Sequence, residues 1–315
     1  MTQQADADLA AYLDGRMAFC SIATTSHVNL ARACLTSLMR HNPEAASVLL
    51  LADPDQKAPH ELAQGFYLRI ADCIDPASLA DMRQRYSPAE LCFAAKPFLI
   101  AKLLAAGAAQ VHYLDGDCYC YSTMESLSKE LEAADMLLTP HCLQAVPDDG
   151  LTPRAITLLR AGTFNGGYIG VNNTAEGRRF VAWLGDMNRN QGYNRPDQGM
   201  CGDQRWLDLV PALFPGLAIC RNASANVAYW NLQERPLEQD ADGRYMVNGQ
   251  PLIFFHFSGA DSRAPEQLSH HQNRHSLAPN STLSRLLAEY WSSIATPPPI
   301  HRGGLSRIRE WLSRK

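Results

Sequence analysis

The feature that most constrains the fold of this chain is the alternation of strand and helix patterns within residues 17–53. The run MAFCSIATT has the composition of a strand, and the run SVLLLAD is a short apolar segment of the same kind. Between them, HVNLARACLTSLMRHNP has apolar residues at helical spacing and stops at Pro43. This order predicts a strand–helix–strand unit with two parallel strands.

The same alternation continues to residue 115. GFYLRIAD predicts another strand, and the sequence SPAE, which begins at Ser87, fits the capping box of a helix with proline in its first turn. Because proline interrupts helices, we expect Pro97 to separate one helix end from a new helix closed by Gly107. QVHYLD then predicts a buried strand. The pattern indicates an α/β fold with a mostly parallel sheet, whose ligands gather at the carboxyl ends of the strands.

The second half of the chain has a more mixed pattern. TFNGGYIGVNN predicts a strand, followed by a helix over about residues 175–187 and another around CGDQRWLDLVP. A hairpin is predicted next, because Tyr245–Val247 and Leu252–Phe257 flank Asn248-Gly249, a pair favoured in tight turns.

Composition limits the possible functions. The 315 residues are 46% hydrophobic, which is enough for a large core, and the formal net charge of −4 argues against binding to nucleic acid. Nine cysteines leave at least one unpaired in any intramolecular disulfide scheme, and Cys118 and Cys120 lack the second pair of a zinc site. We expect reduced thiols and a cytoplasmic location, since no signal sequence or membrane-spanning run of about 20 apolar residues is present.

The last residues have a separate character. Three prolines near Pro297 break the preceding pattern, and residues 301–315 place leucine, isoleucine and tryptophan on one helical stripe among arginines. Two interpretations stay open: peripheral contact with an anionic membrane surface, or a frayed terminal helix.

Two aspartates form the most informative motif. In YLDGDCY, Asp115 and Asp117 follow a buried-looking strand, and Gly116 between them allows a close approach by a ligand. Two convergent carboxylates repel each other unless a cation lies between them, and a divalent ion would also bridge to a diphosphate. The alternative is a surface turn, for which Asp-Gly-Asp is a common composition.

His256 is the third candidate metal ligand. It stands in FFHFSG, among aromatic residues on the second arm of the predicted hairpin, where a histidine is commonly a hydrogen-bonded core residue. With Asp115 and Asp117 it would form a mixed oxygen and nitrogen set. Such a set suits Mn²⁺ better than Ca²⁺, and Mg²⁺ with additional waters stays open.

Four segments, YLDGDCY, FNGGYIGVNN, GDQRWLD and HFSG, occur in this order and together resemble the GT-A fold glycosyltransferases, especially enzymes similar to glycosyltransferase family 8. The resemblance implies a Rossmann-like, mostly parallel sheet flanked by helices, with a smaller mixed acceptor-side region. It implies a GT-A domain over residues 1–262, whose nucleotide-sugar half spans about 17–140 and whose acceptor-side half spans about 141–262. Residues 263–315 would form a helical C-terminal extension.

The resemblance also implies roles for individual residues. The family's metal-binding aspartates and histidine correspond to the three candidates already named. Its Asn-Ala-Gly segment near the donor sugar corresponds to Asn165, Gly166 and Gly167, and its Asp-Gln pair facing the sugar corresponds to Asp203 and Gln204. Asp203 would lie closest to the reacting centre; alternatively, it is only a favourable residue at a helix N-terminus.

Further donor contacts are implied at strand ends. Thr24, Thr25 and Ser26 lie where such enzymes hold the nucleotide, and Asp53 ends the second strand on the same edge; alternatively, these residues form turns, and Ser26 caps a helix. Lys96 corresponds to a basic residue that precedes the acidic motif in similar enzymes, unless it is a solvated lysine at a helix end.

One segment departs from the family pattern. Family 8 enzymes often follow the histidine with Gly-x-x-Lys-Pro-Trp, whereas HFSGADSRAPE lacks the lysine and the tryptophan. Charge on a leaving diphosphate would then be neutralised by the metal and by Arg263 or another arginine.

The function that follows is transfer of a hexose-like sugar from a nucleoside diphosphate sugar, with a UDP-sugar favoured, to the hydroxyl of a glycan or glycolipid. Assembly of bacterial surface polysaccharide or lipopolysaccharide would use such an enzyme. Asp203 would act as a base if the reaction inverts and would orient the sugar if it retains configuration. Tyr229, Trp230 and Asn231 are either acceptor contacts or core residues.

Two other functions are compatible with an Asp-x-Asp motif. A phosphatase of the haloacid dehalogenase type uses one, but near the amino terminus and followed by threonine or valine, whereas Cys118 follows here. A binding module that has lost turnover is the second alternative. The retention of both aspartates with Asp203 and His256 argues against it.

Overall fold

The computed structural model describes residues 3–53 and 65–295, which form a mixed α/β fold. In chain order, its strands are β1 (Ala18–Ala23), β2 (Ala46–Leu51), β3 (Phe66–Arg69), β4 (Gln110–Leu114), β5 (Cys118–Cys120), β6 (Met136–Pro140), β7 (Phe164–Asn172), β8 (Asn194–Arg195), β9 (Met200–Cys201), β10 (Leu217–Ile219), β11 (Leu237–Gln239), β12 (Tyr245–Val247), β13 (Gln250–Pro251) and β14 (Phe254–His256).

Helices connect most of these strands. The α-helices are α1 (Gln3–Leu13), α2 (Val28–His41), α3 (Pro76–Arg85), α4 (Pro88–Ala105), α5 (Glu125–Glu132), α6 (Ala155–Ala161), α7 (Ala175–Gln191), α8 (Val210–Leu213) and α9 (Thr282–Ala295), and short 3₁₀ helices cover Thr25–His27, Ile70–Asp72, Pro196–Gln198 and Gln204–Leu209.

A seven-stranded sheet organises the fold, in the order β10-β6-β7-β4-β1-β2-β3. All neighbouring strands in it are parallel except β7, which runs antiparallel to both β4 and β6. The predicted mostly parallel α/β sheet is therefore confirmed. The predicted unit in residues 17–53 is present as β1-α2-β2, with Ala18 opposite Ala46 and Ala23 opposite Leu51.

The sheet is buried on both faces, which explains why its strands read as nearly continuous apolar runs. In β1, Cys20 and Ile22 pack into a core that also contains residues of α1, α3, α4 and α7. Phe19, on the opposite face of the same strand, packs with residues of α2 and α5. Helices α1, α3, α4 and α7 thus lie on one face of the sheet, and α2 and α5 lie on the other.

Helix α4 differs from the prediction, because it runs without interruption through Pro97. The predicted capping box is present: Ser87 Oγ accepts from the Glu90 backbone N–H, and the Glu90 carboxylate accepts from the Ser87 N–H. A proline inside a helix costs about 3 kcal/mol. Nine residues of α4 are buried, Lys96 and Pro97 among them, and this burial outweighs the local cost.

The predicted hairpin is correct at its turn and wrong in its second arm. Asn248 and Gly249 both have positive φ, as a tight hairpin turn requires, but the strand that β12 meets across this turn is only the short β13, and its other neighbour is β11. The chain then leaves the hairpin, and β14 pairs antiparallel with β5 instead. His256 is consequently delivered to the edge of the central sheet and not to the hairpin.

The remaining predictions are largely confirmed. The strand at residues 163–173 and the helix after it correspond to β7 and α7, whereas the helix predicted around residues 201–211 is a 3₁₀ helix followed by the single turn of α8. Helix α9 buries Leu286, Leu287 and Tyr290. The amphipathic stripe predicted at residues 301–315 lies outside the described residues.

All nine cysteines lie in described segments, and all are free thiols, as the sequence predicted. No helix among residues 3–53 and 65–295 is both long and apolar enough to cross a membrane.

Candidate functional site

Strands β4 and β5 place the two aspartates of the motif at one edge of the central sheet. Asp115 directly follows β4, and Asp117 directly precedes β5. The backbone N–H of Asp115 donates to the Gly167 carbonyl at 2.9 Å, which joins the motif to β7. A Cβ at Gly116 would lie 3.1 Å from the Cβ of Ala31 in α2, so the helix makes the close approach at this glycine.

His256 converges with Asp117, as the sequence predicted. Pairing of β14 with β5 places His256 opposite Cys118, and His256 Nε2 lies 3.1 Å from Asp117 Oδ1. The Phe257 backbone N–H donates to the Asp117 carbonyl at 2.8 Å and extends this pairing by one residue. The imidazole is buried, whereas the Asp117 side chain is 29% exposed.

Asn226, which the sequence analysis missed, fixes the other nitrogen of this imidazole. Its Nδ2 donates to Thr139 Oγ1 at 2.7 Å and to Asn165 Oδ1 at 2.9 Å, so its Oδ1 is the acceptor. His256 Nδ1 lies 3.2 Å from that oxygen and donates to it. Nε2 is thereby directed to Asp117, in the arrangement by which a second residue orients a histidine ligand.

Charge coupling shifts the ionisation of both partners. Burial disfavours the charged form of His256, but the adjacent Asp117 carboxylate outweighs burial and raises the pKa of the imidazole. For Asp117, burial favours the neutral carboxyl, yet the imidazolium of His256 lowers its pKa below the usual aspartate value. Each partner thus favours the charged form of the other.

Lys96 joins two acidic residues that lie far apart in the sequence. Its Nζ lies 3.1 Å from Asp115 Oδ1 and 3.2 Å from Asp203 Oδ1, and it donates to the Gly166 carbonyl at 2.9 Å. Only 2% of the lysine side chain is exposed, so the interpretation as a solvated lysine at a helix end is wrong. Tyr113 Oη also donates to Asp115 Oδ1, at 2.7 Å.

Asp203 is buried and incompletely paired. Burial is the largest cause that raises its pKa, the Lys96 ammonium opposes it, and the result is a pKa of about 6. Its Oδ2 has no hydrogen-bond partner among the described residues. Asp203 directly precedes the 3₁₀ helix Gln204–Leu209, and its side chain makes no capping hydrogen bond there.

The glycine segment of β7 and Gln204 form one network. Gln204 Oε1 accepts from Asn165 Nδ2 at 3.1 Å and from the Gly166 N–H at 2.9 Å, while Asn165 Oδ1 accepts from the Gly167 N–H. A Cβ at Gly167 would lie 2.3 Å from His256 Cε1, and one at Gly166 would lie 2.9 Å from Asp203 Oδ2. Glycine at both positions is therefore required for these side chains to meet.

The strand ends proposed for the nucleotide are also adjacent. Asp53 Oδ2 accepts from Thr25 Oγ1 at 2.6 Å and from the Thr25 N–H at 2.5 Å. Ser26 Oγ lies 2.8 Å from His27 Nδ1 and 3.0 Å from Thr24 Oγ1. Helix α2 has no side-chain cap, so Ser26 does not cap it.

Aromatic and amide side chains line the back of the site. Trp230 packs edge-on against His256 and His141, with ring centroids 5.2 and 5.3 Å apart, and only 3% of this residue is exposed. Asn231 accepts from the Ala228 N–H and donates to the His141 carbonyl. Trp230 and Asn231 are thus buried supports, whereas Tyr229 is partly exposed.

The arrangement fits a divalent ion. Ligand atoms of Asp117, Cys118 and His256 lie within 4.8 Å of one another, and the contact of Nδ1 with Asn226 leaves Nε2 of His256 as the atom that would bind an ion. Cys118 is buried and was not foreseen as a neighbour of this cluster. Arg263, suggested for the diphosphate, is paired with Asp261 at 2.6 Å and is 88% exposed.

Comparisons with known proteins agree with this architecture. No protein-family model matches the chain. It is similar to two uncharacterized proteins of Bacillus subtilis (strain 168). YfnF is 24% identical over 252 residues, and the match covers 77% of this chain and 81% of YfnF. YfnD is 27% identical over 252 residues, and the match covers 76% of this chain and 77% of YfnD.

Solved structures give the fold. The galactosyltransferase LgtC, in complex with donor and acceptor sugar analogs, superposes with a TM-score of 0.53 at 16% identity, covering 91% of this chain and 99% of LgtC. The bifunctional glycosyltransferase WbbM superposes with a TM-score of 0.52 at 14% identity, covering 90% of this chain and 50% of WbbM. This chain therefore has the fold of the GT-A glycosyltransferases.

Proposed function

We propose that this protein transfers a hexose-like sugar from a nucleoside diphosphate sugar, with a UDP-sugar favoured, to the hydroxyl of a glycan or glycolipid. The observation that carries the proposal is the convergence of Lys96, Asp115 and Asp203 beside the pair of Asp117 and His256. The GT-A fold also supports sugar transfer. An enzyme of this kind would serve the assembly of bacterial surface polysaccharide or lipopolysaccharide.

Asp117 and His256 would hold the divalent ion, Mn²⁺ or Mg²⁺, with Asp115 beside them. When bound, such an ion supplies charge stabilisation to the leaving diphosphate. Asp115 Oδ1 is already engaged by Lys96 and Tyr113, so its orientation is set by the protein before any donor arrives. Preorganised charge of this kind needs no rearrangement as the reaction proceeds.

Asp203 is the residue proposed nearest to the reacting carbon. Lys96 holds its Oδ1, while Oδ2 lies beside Gly166, has no hydrogen-bond partner within the described part of the chain, and would face a sugar hydroxyl or developing positive charge. With a pKa of about 6, the carboxylate is mostly ionised at neutral pH. This suits orientation and electrostatic stabilisation in a retaining reaction, and base catalysis in an inverting one.

Asn165, Gly166 and Gly167 would line the donor sugar, with Gln204 holding them through its side-chain amide. Thr24, Thr25, Ser26 and Asp53 would lie along the nucleotide. A binding module without turnover has no need for a lysine buried between two carboxylates, an arrangement that is costly to desolvate. The structure thus favours the enzyme over that alternative.

The test is a donor-hydrolysis screen. Purified protein is incubated with a panel of nucleoside diphosphate sugars, with Mn²⁺ or with EDTA, and released nucleotide is measured. We expect release from one donor that stops with EDTA and in Asp117→Asn. Asp186→Asn, at an exposed position on α7, is the matched control and should retain activity. Absence of both turnover and metal-dependent binding for every donor would overturn the proposal.

A further inference from the structure

In the part of the chain that the structure describes, the large apolar side chains that are exposed lie in two short segments. Leu151, Ile156 and Leu159 are 36%, 44% and 69% exposed, and Leu209 and Leu213 are 47% and 45% exposed. No other large apolar side chain in residues 3–53 and 65–295 is exposed to this degree. Scattered exposed leucines are ordinary, but clustered ones indicate a surface that contacts something apolar.

The first segment contains α6, which buries none of its seven residues. Ile156 and Leu159 are three positions apart and lie on the same side of this helix. A helix this short gains little stability from its own hydrogen bonds and is normally held by an apolar face packed against the protein. In α6 the apolar residues instead point to solvent, as expected of a helix that packs against an external partner.

Hydrogen bonds join the two segments into one surface. Arg205 Nη1 donates to the Leu159 carbonyl at 3.1 Å, and the Thr163 N–H donates to Asp208 Oδ1 at 2.7 Å. Asp208 immediately precedes Leu209, and Leu213 lies four residues further on. We call this surface, formed by Leu151, Ile156, Leu159, Leu209 and Leu213, the apolar rim.

Positive charge flanks the apolar rim. Arg154 directly precedes α6, and Arg160 is its next-to-last residue. Both arginines are exposed, and neither forms a salt bridge with any residue that the structure describes. Arg205 is different, because Asp208 neutralises it. Apolar side chains between uncompensated arginines are the composition of surfaces that lie on anionic lipid.

The apolar rim borders the candidate site. Gln204 Nε2 donates to the carbonyl of Ala161, the last residue of α6, at 2.9 Å. The Oε1 atom of the same side chain accepts from Asn165 and Gly166 in the site. One glutamine thus connects the helix that carries the exposed apolar residues with the residues proposed to line the donor sugar.

We propose that the apolar rim docks on the surface of an anionic bilayer, with its leucine and isoleucine side chains at the boundary of headgroups and acyl chains and Arg154 and Arg160 at the phosphates. A second copy of the chain fits less well, since a two-fold interface would bring the same arginines together from both copies. Docking would turn the edge of the site toward the membrane. The corollary that the acceptor is carried on a lipid rests on the proposed function; the docking itself does not.

The test is cosedimentation of the full-length chain with vesicles of phosphatidylcholine alone or mixed with phosphatidylglycerol. We expect binding to the mixed vesicles, and a partition coefficient roughly tenfold lower for the double variant Ile156→Ser with Leu159→Ser. The conservative pair Ile156→Val with Leu159→Met should bind like the natural chain. Arg154→Gln with Arg160→Gln should weaken binding to the anionic vesicles by a larger factor than binding to phosphatidylcholine.

Three results would overturn this inference. The first is that the natural chain binds neither kind of vesicle, and the second is that the serine pair binds vesicles as well as the natural chain does. The third is that the natural chain forms a dimer, which the serine substitutions dissociate, and binds no lipid. The second would assign the binding to another part of the chain, such as residues 301–315, which are present in every arm. Thermal unfolding and hydrolysis of a soluble donor should be unchanged in the serine pair, so a failure of docking is distinguishable from a failure of the proposed activity.

Discussion

The Lys96 ammonium and the Asp203 carboxylate form an ion pair with Nζ and Oδ1 3.2 Å apart, and both side chains are at least 97% removed from solvent. They come from α4 and from the residue before the 3₁₀ helix Gln204–Leu209, with strands β4 to β9 between them in the sequence. Asp115 shares the same ammonium. One lysine therefore sets the charge balance of the whole candidate site.

Replacing Lys96 with methionine should destabilise the fold. The substitution leaves the Asp203 carboxylate buried without its cation, which typically costs about 3–5 kcal/mol in the free energy of unfolding. Urea denaturation measures the change. Lys129→Met removes an exposed lysine paired with Glu125 and should lower the free energy of unfolding far less. Adding Asp203→Asn to Lys96→Met should restore part of the loss; no restoration would mean that the two charges are not coupled.

Asp203 should make donor hydrolysis depend on pH. Its pKa of about 6 predicts that the ionised form, and turnover with it, is lost as the pH falls through about 6. The pH profile of kcat for the natural chain gives the test, at donor concentrations that saturate the enzyme. Asp203→Asn should reduce kcat and lose this acidic limb. A limb that persists in the asparagine variant would assign the titration to another group.

Asp203 should also make the free energy of unfolding depend on pH, in the opposite direction from its effect on turnover. Folding raises the pKa of Asp203, so the folded state holds its proton more tightly than the unfolded state does. This contribution to the free energy of unfolding is full below the ordinary aspartate pKa and is lost as the pH rises through about 6. Denaturation of natural chain and Asp203→Asn across this range should give a difference that changes with pH; a constant difference would contradict the assignment.

Asn226 should influence metal binding without being a ligand. Removing a residue that orients a histidine ligand commonly lowers metal affinity 10–100-fold. Asn226 has φ of 54°, so glycine is the substitution that preserves the backbone, and Asn226→Gly should weaken Mn²⁺ binding in a calorimetric titration. Asn248→Gly, at φ 50° in the exposed hairpin turn, is the matched control. Equal affinity in the two variants would exclude the positioning role.

A methyl group at Gly167 should disrupt the site by steric contact. Its Cβ would lie 2.3 Å from His256 Cε1 and 2.7 Å from Asn165 Oδ1, so the imidazole must move. We expect Gly167→Ala to unfold at lower temperature and to bind Mn²⁺ more weakly. Gly185→Ala, whose Cβ would meet Phe98 at an ordinary 3.7 Å, should bind Mn²⁺ normally and should not unfold at a lower temperature, since alanine favours a helix over glycine. Normal metal binding by Gly167→Ala would show that His256 does not depend on this close approach.

The sequence by itself determined the class of the fold and most candidate residues. Apolar runs such as those of β1 and β2 are intelligible without the structure, because a strand buried on both faces must be apolar throughout. The ends of β2 and β4 could also be predicted, since Asp53 and Asp115 interrupt their apolar runs with acidic side chains. Local patterns of this kind depend only on near neighbours in the chain.

Only the tertiary structure decided how the candidates meet. Pro97 was expected to end a helix, but burial of α4 outweighs that local preference and places Lys96 in the interior. His256 was assigned to a hairpin, but β14 pairs with β5, because strand pairing depends on long-range register that neighbouring residues do not specify. Asn226 carried no recognisable motif, and its contact with His256 exists only because the folded chain brings the two side chains together.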